Sequence, residues 1–376
     1  MKSDIIIIGG GASGLMAAYN AARAAVDAGR SIQVTVLEKM PRPGRKIMIT
    51  GKGRCNFTNV KDWNAFSPHI RSKANFLKPA FFNMTPEKVV EFFNAFGMRS
   101  VVERGDRAFP ASYHASDVVD TLVNACHSVG VKIENEFEVA DIMDGFTIES
   151  TDGRRYSAPR LIIATGGLSY PGTGSTGDGY RWAEEKGHKL TPLFPSLTAL
   201  VPKGYKAVSG KDLHIDRSEP LGDLGKKFCG RELKYVTATL LIDGNESDSE
   251  SGELYFTDGG IEGPVGFQLS RKAVKAMTNG SKVSLKVLVN PLSPAREREE
   301  WKFDIAGFVG YERAVVTAGG VCLDEILSKT MESRIVPGLY FCGEVLDIDA
   351  DTGGYNLQLA FCTGALAGLN AYKSLP

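Results

Sequence analysis

A glycine pattern, an acid and a run of cations near the N-terminus are the groups whose types and spacing suit chemistry. Gly9, Gly11 and Gly14 form G-x-G-x-x-G directly after the apolar run Ile5 to Ile8. An Ala-rich helical segment follows to about Gly29, and a second β-rich run, Gln33 to Leu37, ends on Glu38. Strand, glycine turn, helix, strand and acid in this order describe a dinucleotide-binding βαβ unit. Gly9 permits the tight turn, Gly11 lets a pyrophosphate approach the backbone, and Gly14 lets helix and strand pack closely. The helix N-terminus offers unbonded N–H groups and a positive dipole end to phosphate. Ser13 and Lys39 flank these positions and join the candidate contacts. Glu38 stands 24 positions after Gly14, near the ~20 expected of a ribose-binding acid.

The next stretch, Met40 to Asn59, carries Gly44, Gly51 and Gly53 among Arg45, Lys46, Lys52 and Arg54. A solvated basic loop has no need of Ile47, Met48 and Ile49. A loop lying across a bound dinucleotide needs glycines for close contact and cations for phosphate. Asn56, Thr58 and Asn59 add short groups that can bond polar ring or chain edges. Cys55 sits in this loop with no resolving cysteine nearby, so packing is expected of it rather than thiol redox chemistry.

GRK, then TGKGRCN and TN, directly after such a unit resembles a bacterial family of FAD-dependent flavoproteins. Its members are described as aminoacetone-oxidase-like proteins or dehydro-bile-acid reductases. Matching blocks recur at Thr165 to Gly167, Ser175 to Tyr180, Thr257 to Ser270, Val316 to Val321 and Pro337 to Gly368. The resemblance implies non-covalent FAD in a glutathione-reductase-type domain. It implies that Val139 gives backbone contacts to adenine, that Thr165 and Gly166 lie against the cofactor, and that Glu344 after Gly343 holds a ribitol hydroxyl. Gly354, Tyr355, Asn356 and Leu357 open the last helix, and their N–H groups suit the flavin N1/C2 side, where a reduced ring is negative. Tyr355 is the candidate protic group near the ring. The family offers two reactions, reduction of an activated C=C bond and oxidation of an amine by oxygen. A flavin-holding redox sensor is the non-enzymatic alternative. The chain departs from the family between Ser293-Pro294 and Val309-Gly310, where relatives carry a further helical segment and this chain has only AREREEWKFDIAGF. The resemblance therefore carries the cofactor site but not the substrate.

Around these groups the expected fold is α/β, a glutathione-reductase-type Rossmann-like domain of residues 1–190 and 311–376 with a β-rich insertion at 191–310. Thr85-Pro86 starts one helix and Ser116 to Val129 forms another. Val131 to Ile163 reads as a three-stranded meander feeding a buried strand. Asn245 to Gly252, NESDSESG, reads as a polar flexible tip beyond the Asp243-Gly244 turn. A second formal G-x-G-x-x-G at 172–177 lies too far from its strand and is not followed by a strand ending in an acid. One nucleotide site is thus expected, with NAD(P)H only a transient hydride donor. His114 and His127 have no partner in sequence, and no nucleophilic triad emerges. The acidic run from Glu344 to Asp351 is only an incomplete match to a carboxylate metal loop, which wants alternating ligands around a glycine turn ending in Glu, so no metal is expected.

Lys+Arg 44 against Asp+Glu 44 gives zero net charge, so no global field favours nucleic acid or an anionic membrane. Six cysteines without a C-x-x-C pair fit a reducing compartment. No apolar run reaches the ~20 residues of a membrane span, and the N-terminus reads directly into a strand. The expectation is a cytoplasmic flavoprotein acting on a small molecule. Nothing in the sequence speaks to oligomeric state.

Overall fold

A computed structural model describes residues 1–207, 213–289 and 299–376. The chain divides into two compact units. The first comprises Met1–Gly167, Gly172–Leu193 and Gly319–Pro376, and the second Leu168–Pro171 and Phe194–Ala318. The junctions proposed at 190/191 and 310/311 thus compare with 193/194 and 318/319 here.

The first unit is built on a five-stranded parallel sheet. Strand β1 (Ile5–Ile8) pairs on one side with Arg160–Ile163 and on the other with strand β2 (Val34–Leu37). Leu339–Phe341 and Lys132–Glu134 form the edges. Both β1 and β2 are buried along their whole length, as continuous apolar runs in a parallel sheet covered on both faces should be. Helix α1 (Ala12–Asp27) is the crossover between them. The C-terminal helix, Tyr355–Lys373, lies so close to α1 that a Cβ on Gly364 or Gly368 would strike the carbonyl oxygens of Ser13 and Ala17. Thr85 caps the helix Pro86–Ala95 by accepting a hydrogen bond from Lys88 N at 3.3 Å. The helix expected at Ser116 to Val129 runs Ala115–Ser128.

The stretch 131–163 differs from the expected meander. Lys132–Glu134 joins the parallel sheet beside β2. The antiparallel meander is Val139–Met143, Thr147–Ser150 and Arg155–Ser157. Apolar alternation cannot tell which sheet a three-residue strand joins.

The second unit has its own core, from Ala199 and Leu200 through Phe256 and Leu269 to Phe308 and Val309. Its strands run in the order Leu200–Pro202, Gly260–Glu262, Asn245–Thr257, Glu232–Ile242, Val283–Val289, Glu299–Val309 and His214–Ile215. Leu200–Pro202 also pairs with Glu299–Val309, so the sheet returns on itself as a barrel. The helix Gly263–Thr278 packs on it with Val265, Leu269 and Ala273 buried. Asn245 to Gly252 is not a flexible tip but the first part of the long strand Asn245–Thr257, paired with Glu232–Ile242. Hydroxyl pairs Thr237–Ser251 and Thr239–Ser249, 2.9 and 3.2 Å apart, bridge the two strands. Small polar residues thus satisfy an exposed ladder without apolar alternation. The short stretch expected to stand in for the relatives' helical segment lies partly outside the described residues; from residue 299 it is the strand Glu299–Val309. Phe194–Ser196 and Val316–Ala318, where this unit's main segment begins and ends, pair antiparallel.

Candidate cofactor site

The glycine turn has the form its spacing implies. Gly9 has φ +107°, and a Cβ there would meet the carbonyl of Ala164 on the neighbouring strand. A Cβ on Gly14 would strike the Gly9 carbonyl oxygen, so the third glycine sets how near α1 comes to β1. Gly11, by contrast, faces open space, with nothing within 4 Å of a Cβ built on it. It is also the N-cap of α1, with no side-chain cap and no acid in the first turn. The N–H groups of that turn therefore keep their capacity for an anion.

Glu38 is 9% exposed and reaches back to the turn. Its Oε2 accepts from Gly10 N at 2.6 Å and its Oε1 from Met40 N at 2.8 Å. Burial raises its pKa, while the two amides and the nearby Lys39 and Arg45 pull the other way. The acid is thus part of the turn's own architecture, a role that spacing alone did not reveal. Lys39 Nζ lies 2.7 Å from Asp178 Oδ2 and also bonds Thr176, so the glycine-rich stretch at 172–177 is fastened to the end of β2. Val139 is buried at the start of the adjoining meander, and Phe137 N donates to Glu38 O at 2.9 Å.

The basic loop splits in two. Lys46 Nζ meets Glu344 Oε2 at 2.7 Å, bringing together two candidates 298 positions apart. Arg45 is exposed. Arg54 instead lies over the rings of Phe109 and Tyr113 at 4.6 and 4.5 Å and pairs with Glu103 at 2.5 Å. A Cβ on Gly53 would meet nothing. Cys55 is fully buried in a left-handed conformation, φ +53°, and burial pushes its thiol up to about 12. That is the pKa of a packing residue.

Gly343, φ +76°, approaches Ser13 too closely for a side chain and opens the short turn Gly343–Val345 that carries Glu344. Gly354, φ +92°, is the N-cap of the C-terminal helix, again without a side-chain cap. A Cβ there would meet the Thr58 carbonyl and Asn56 Oδ1. Asn56 Oδ1 and Thr165 Oγ1 are buried polar atoms without a hydrogen-bond partner. Gly166 beside Thr165 is left-handed, φ +76°. The Asn356 side chain bonds Ala350 and the Asp351 carbonyl, fixing the preceding loop, while Leu357 lies in the first turn and is half-buried. Tyr355 stacks on His69 and packs edge-on against Phe66, and burial raises its phenol pKa against the pull of Lys61. Two uncapped helix N-termini, an open Gly11, two orphaned polar atoms and a buried acid at the end of β2 suit a dinucleotide that brings phosphates, hydroxyls and ring edges.

The chain matches the family model described as HI0933-like protein Rossmann domain over residues 3–370. The chain belongs to this family. Among curated proteins, the 3-dehydro-bile acid delta(4,6)-reductase of Clostridium scindens is 30% identical over 96% of this chain and 97% of its own length. The ribosomal RNA dihydrouridine synthase of Escherichia coli is 30% identical over 96% of both. These alignments run over 426 and 412 positions, longer than the 376 residues here, so both relatives carry stretches with no counterpart in this HI0933-like chain. Among solved structures, the 3-ketosteroid delta1-dehydrogenase of Sterolibacterium denitrificans superposes with a TM-score of 0.58 at 13% identity, covering 99% of this chain and all of that one. The HI0933-like chain is an FAD-dependent oxidoreductase with a Rossmann-type parallel sheet and a β-barrel insertion. Among the described residues no helix is long and apolar enough to cross a membrane.

Sequence reasoning missed one group. His69, Arg71 and Asp351 meet beside Tyr355, with His69 Nδ1 2.9 Å from Asp351 Oδ2. The partners are 282 positions apart, and neither lies in a glycine motif.

Proposed function

We propose that this protein reduces a carbon–carbon double bond conjugated to a carbonyl, with NAD(P)H as the transient donor. Bound FAD supplies the hydride. The observation that carries this reading is the pair of relatives. One is named for the delta(4,6) bonds of a 3-dehydro bile acid, the other for dihydrouridine. A 3-oxo group conjugates with delta(4,6) bonds, and the uracil C5=C6 bond conjugates with the C4 carbonyl. Both names thus fit hydride addition to an electrophilic carbon conjugated with a carbonyl. Amine oxidation and a purely sensory role gain no support from either name.

On this reading the α1 N-terminus holds the pyrophosphate and Glu38 the adenosine ribose. Glu344 and Lys46 divide between a ribitol hydroxyl and a phosphate. The uncapped N-terminus at Gly354 would support a ring edge that becomes negative on reduction, where a helix dipole is worth about 0.3–1 kcal/mol, more when partly buried.

The favoured substrate is a small enone. A uridine of ribosomal RNA is a second reading, favoured by the E. coli relative and by the local charge. From Lys39 to Arg107 stand fourteen Lys or Arg and five Asp or Glu, in a chain of zero net charge. The test is anaerobic reduction with NADPH, then mixing with a 3-oxo-delta(4,6) steroid or with ribosomal RNA from a strain lacking its dihydrouridine synthase. Flavin reoxidation with a product heavier by two hydrogens is expected for one of them. Reoxidation by oxygen alone, with neither substrate changed, rejects the proposal.

A further inference from the structure

The cofactor contacts leave one set of titratable groups unused, at the start of the C-terminal helix. His69 Nδ1 lies 2.9 Å from Asp351 Oδ2. Arg71 holds the same carboxylate through Nε and Nη2, each at 2.5 Å. Backbone bonds tie the two segments, from Asp351 N to His69 O at 3.0 Å and from Arg71 N to Asp349 O at 2.8 Å. The Asp351 side chain is 4% exposed, whereas that of His69 is 32% exposed. The imidazole stacks on the Tyr355 ring with centroids 4.3 Å apart and planes at 22°. Lys61 lies 6.0 Å over the other partner's ring and 3.2 Å from Asp106. The charged and titratable groups around His69 are thus Asp351, Arg71 and Tyr355, with Lys61 and Asp106 behind the phenol.

Arg71 already balances the Asp351 charge with a two-pronged bond. His69 therefore need not be protonated to hold its place. A neutral imidazole that donates Nδ1–H to the carboxylate has its tautomer fixed and keeps the Nε2 lone pair as an acceptor. The bond to Asp351 is made through Nδ1, and the side chain is 32% exposed. A latch between these segments would need only Arg71 and the backbone bonds. A titratable ring stacked on the first residue of the helix assigned to the flavin does more than a latch requires.

We propose that His69 is a redox-linked proton carrier. It takes a proton from solvent onto Nε2 when two electrons enter the bound FAD, and releases it to the reduced product when they leave. This rests on the cofactor reading above, with the flavin at the Gly354 terminus. Negative charge arriving there with the hydride attracts a proton to a base held beside that helix start, where His69 stacks on Tyr355. The balance closes: NAD(P)H supplies the hydride that bound FAD would pass to the β carbon, and solvent supplies the one proton that His69 takes up on reduction. His69 returns to neutral as it gives that proton to the α carbon.

The test follows the midpoint potential of FAD in the holoprotein against pH, by spectroelectrochemistry. The wild-type potential should fall more steeply with rising pH than that of His69→Gln. Tyr355→Phe should keep the wild-type slope. Equal slopes in wild type and His69→Gln overturn the proposal, as does a slope lost in Tyr355→Phe instead. Should His69→Gln not fold, nitrogen NMR of the wild type decides, since only five histidines need assignment. Neutral His69 should carry its hydrogen on Nδ1, and a hydrogen on Nε2 sinks the idea. A wild type that binds no FAD overturns both this and the cofactor reading. One that shows the slope difference but reduces no conjugated bond upholds redox-linked proton uptake by His69 and rejects the delivery to product together with the proposed reaction.

Discussion

At the residue scale, Glu38 braces the glycine turn and, on the proposed reading, would also offer its carboxylate to the ribose. Glu38→Ala should lose a charge-assisted hydrogen bond of about 1.5–3 kcal/mol, roughly 10- to 150-fold in FAD affinity at ~1.4 kcal/mol per tenfold. Quenching of flavin fluorescence on titration into apoprotein measures this, and unchanged affinity would place the adenosine elsewhere. The pH dependence has a definite sign. The carboxylate form is the one that accepts from ribose, and burial raises its pKa. Affinity should be full above that raised pKa and should fall as pH drops through it, earlier than for an ordinary Glu near ~4.3. Cys55 supports an opposite expectation. With its thiol pushed up to about 12, it should resist iodoacetamide at pH 8 in the native protein and react after denaturation. Rapid native labelling at Cys55, read by peptide mass, would contradict the buried assignment. Glu38 was legible in the sequence because its signal is local, an acid at a set distance from a glycine turn. His69 and Asp351 were not, because only the fold brings them together.

At the element scale, α1 and the C-terminal helix meet in a close backbone joint within the first unit. Ser13, Ala17, Gly364 and Gly368 let the two backbones meet almost directly. Gly368→Ala should force them apart at a cost of about 1–3 kcal/mol, seen as a lower midpoint in urea unfolding and weaker FAD retention. An unchanged midpoint would show that the helices shift freely. The sequence signalled small residues in the last helix but not their partner, since packing between distant helices leaves no spacing to count. Strands that bury both faces, such as β1 and β2, were legible as apolar runs. The strand Asn245–Thr257 was not, because its polar residues owe their conformation to the neighbouring strand rather than to their own pattern.

At the scale of the whole molecule, the described residues hold the order strand, adjacent glycine turn, helix, strand and acid once, in β1–α1–β2. The glycines at 172–177 lead instead into the eight-residue helix Asp178–Glu185 and end pinned to Lys39. NAD(P)H should therefore reach the flavin without a nucleotide domain of its own. Stopped-flow reduction should saturate weakly, with an apparent constant toward the upper end of the ~1 μM–1 mM range. A low-micromolar constant with strong preference between NADH and NADPH would reveal a dedicated pocket. The antiparallel pair Phe194–Ser196 and Val316–Ala318 bears on the history of the family. It brings the first and last residues of the barrel segment side by side, as in the stem of a hairpin. A module with adjoining ends can be exchanged, lengthened or trimmed without redirecting the chain on either side. A lineage with this plan can alter the barrel while its nucleotide fold stays fixed, so relatives alike in the glycine turn need not share a substrate.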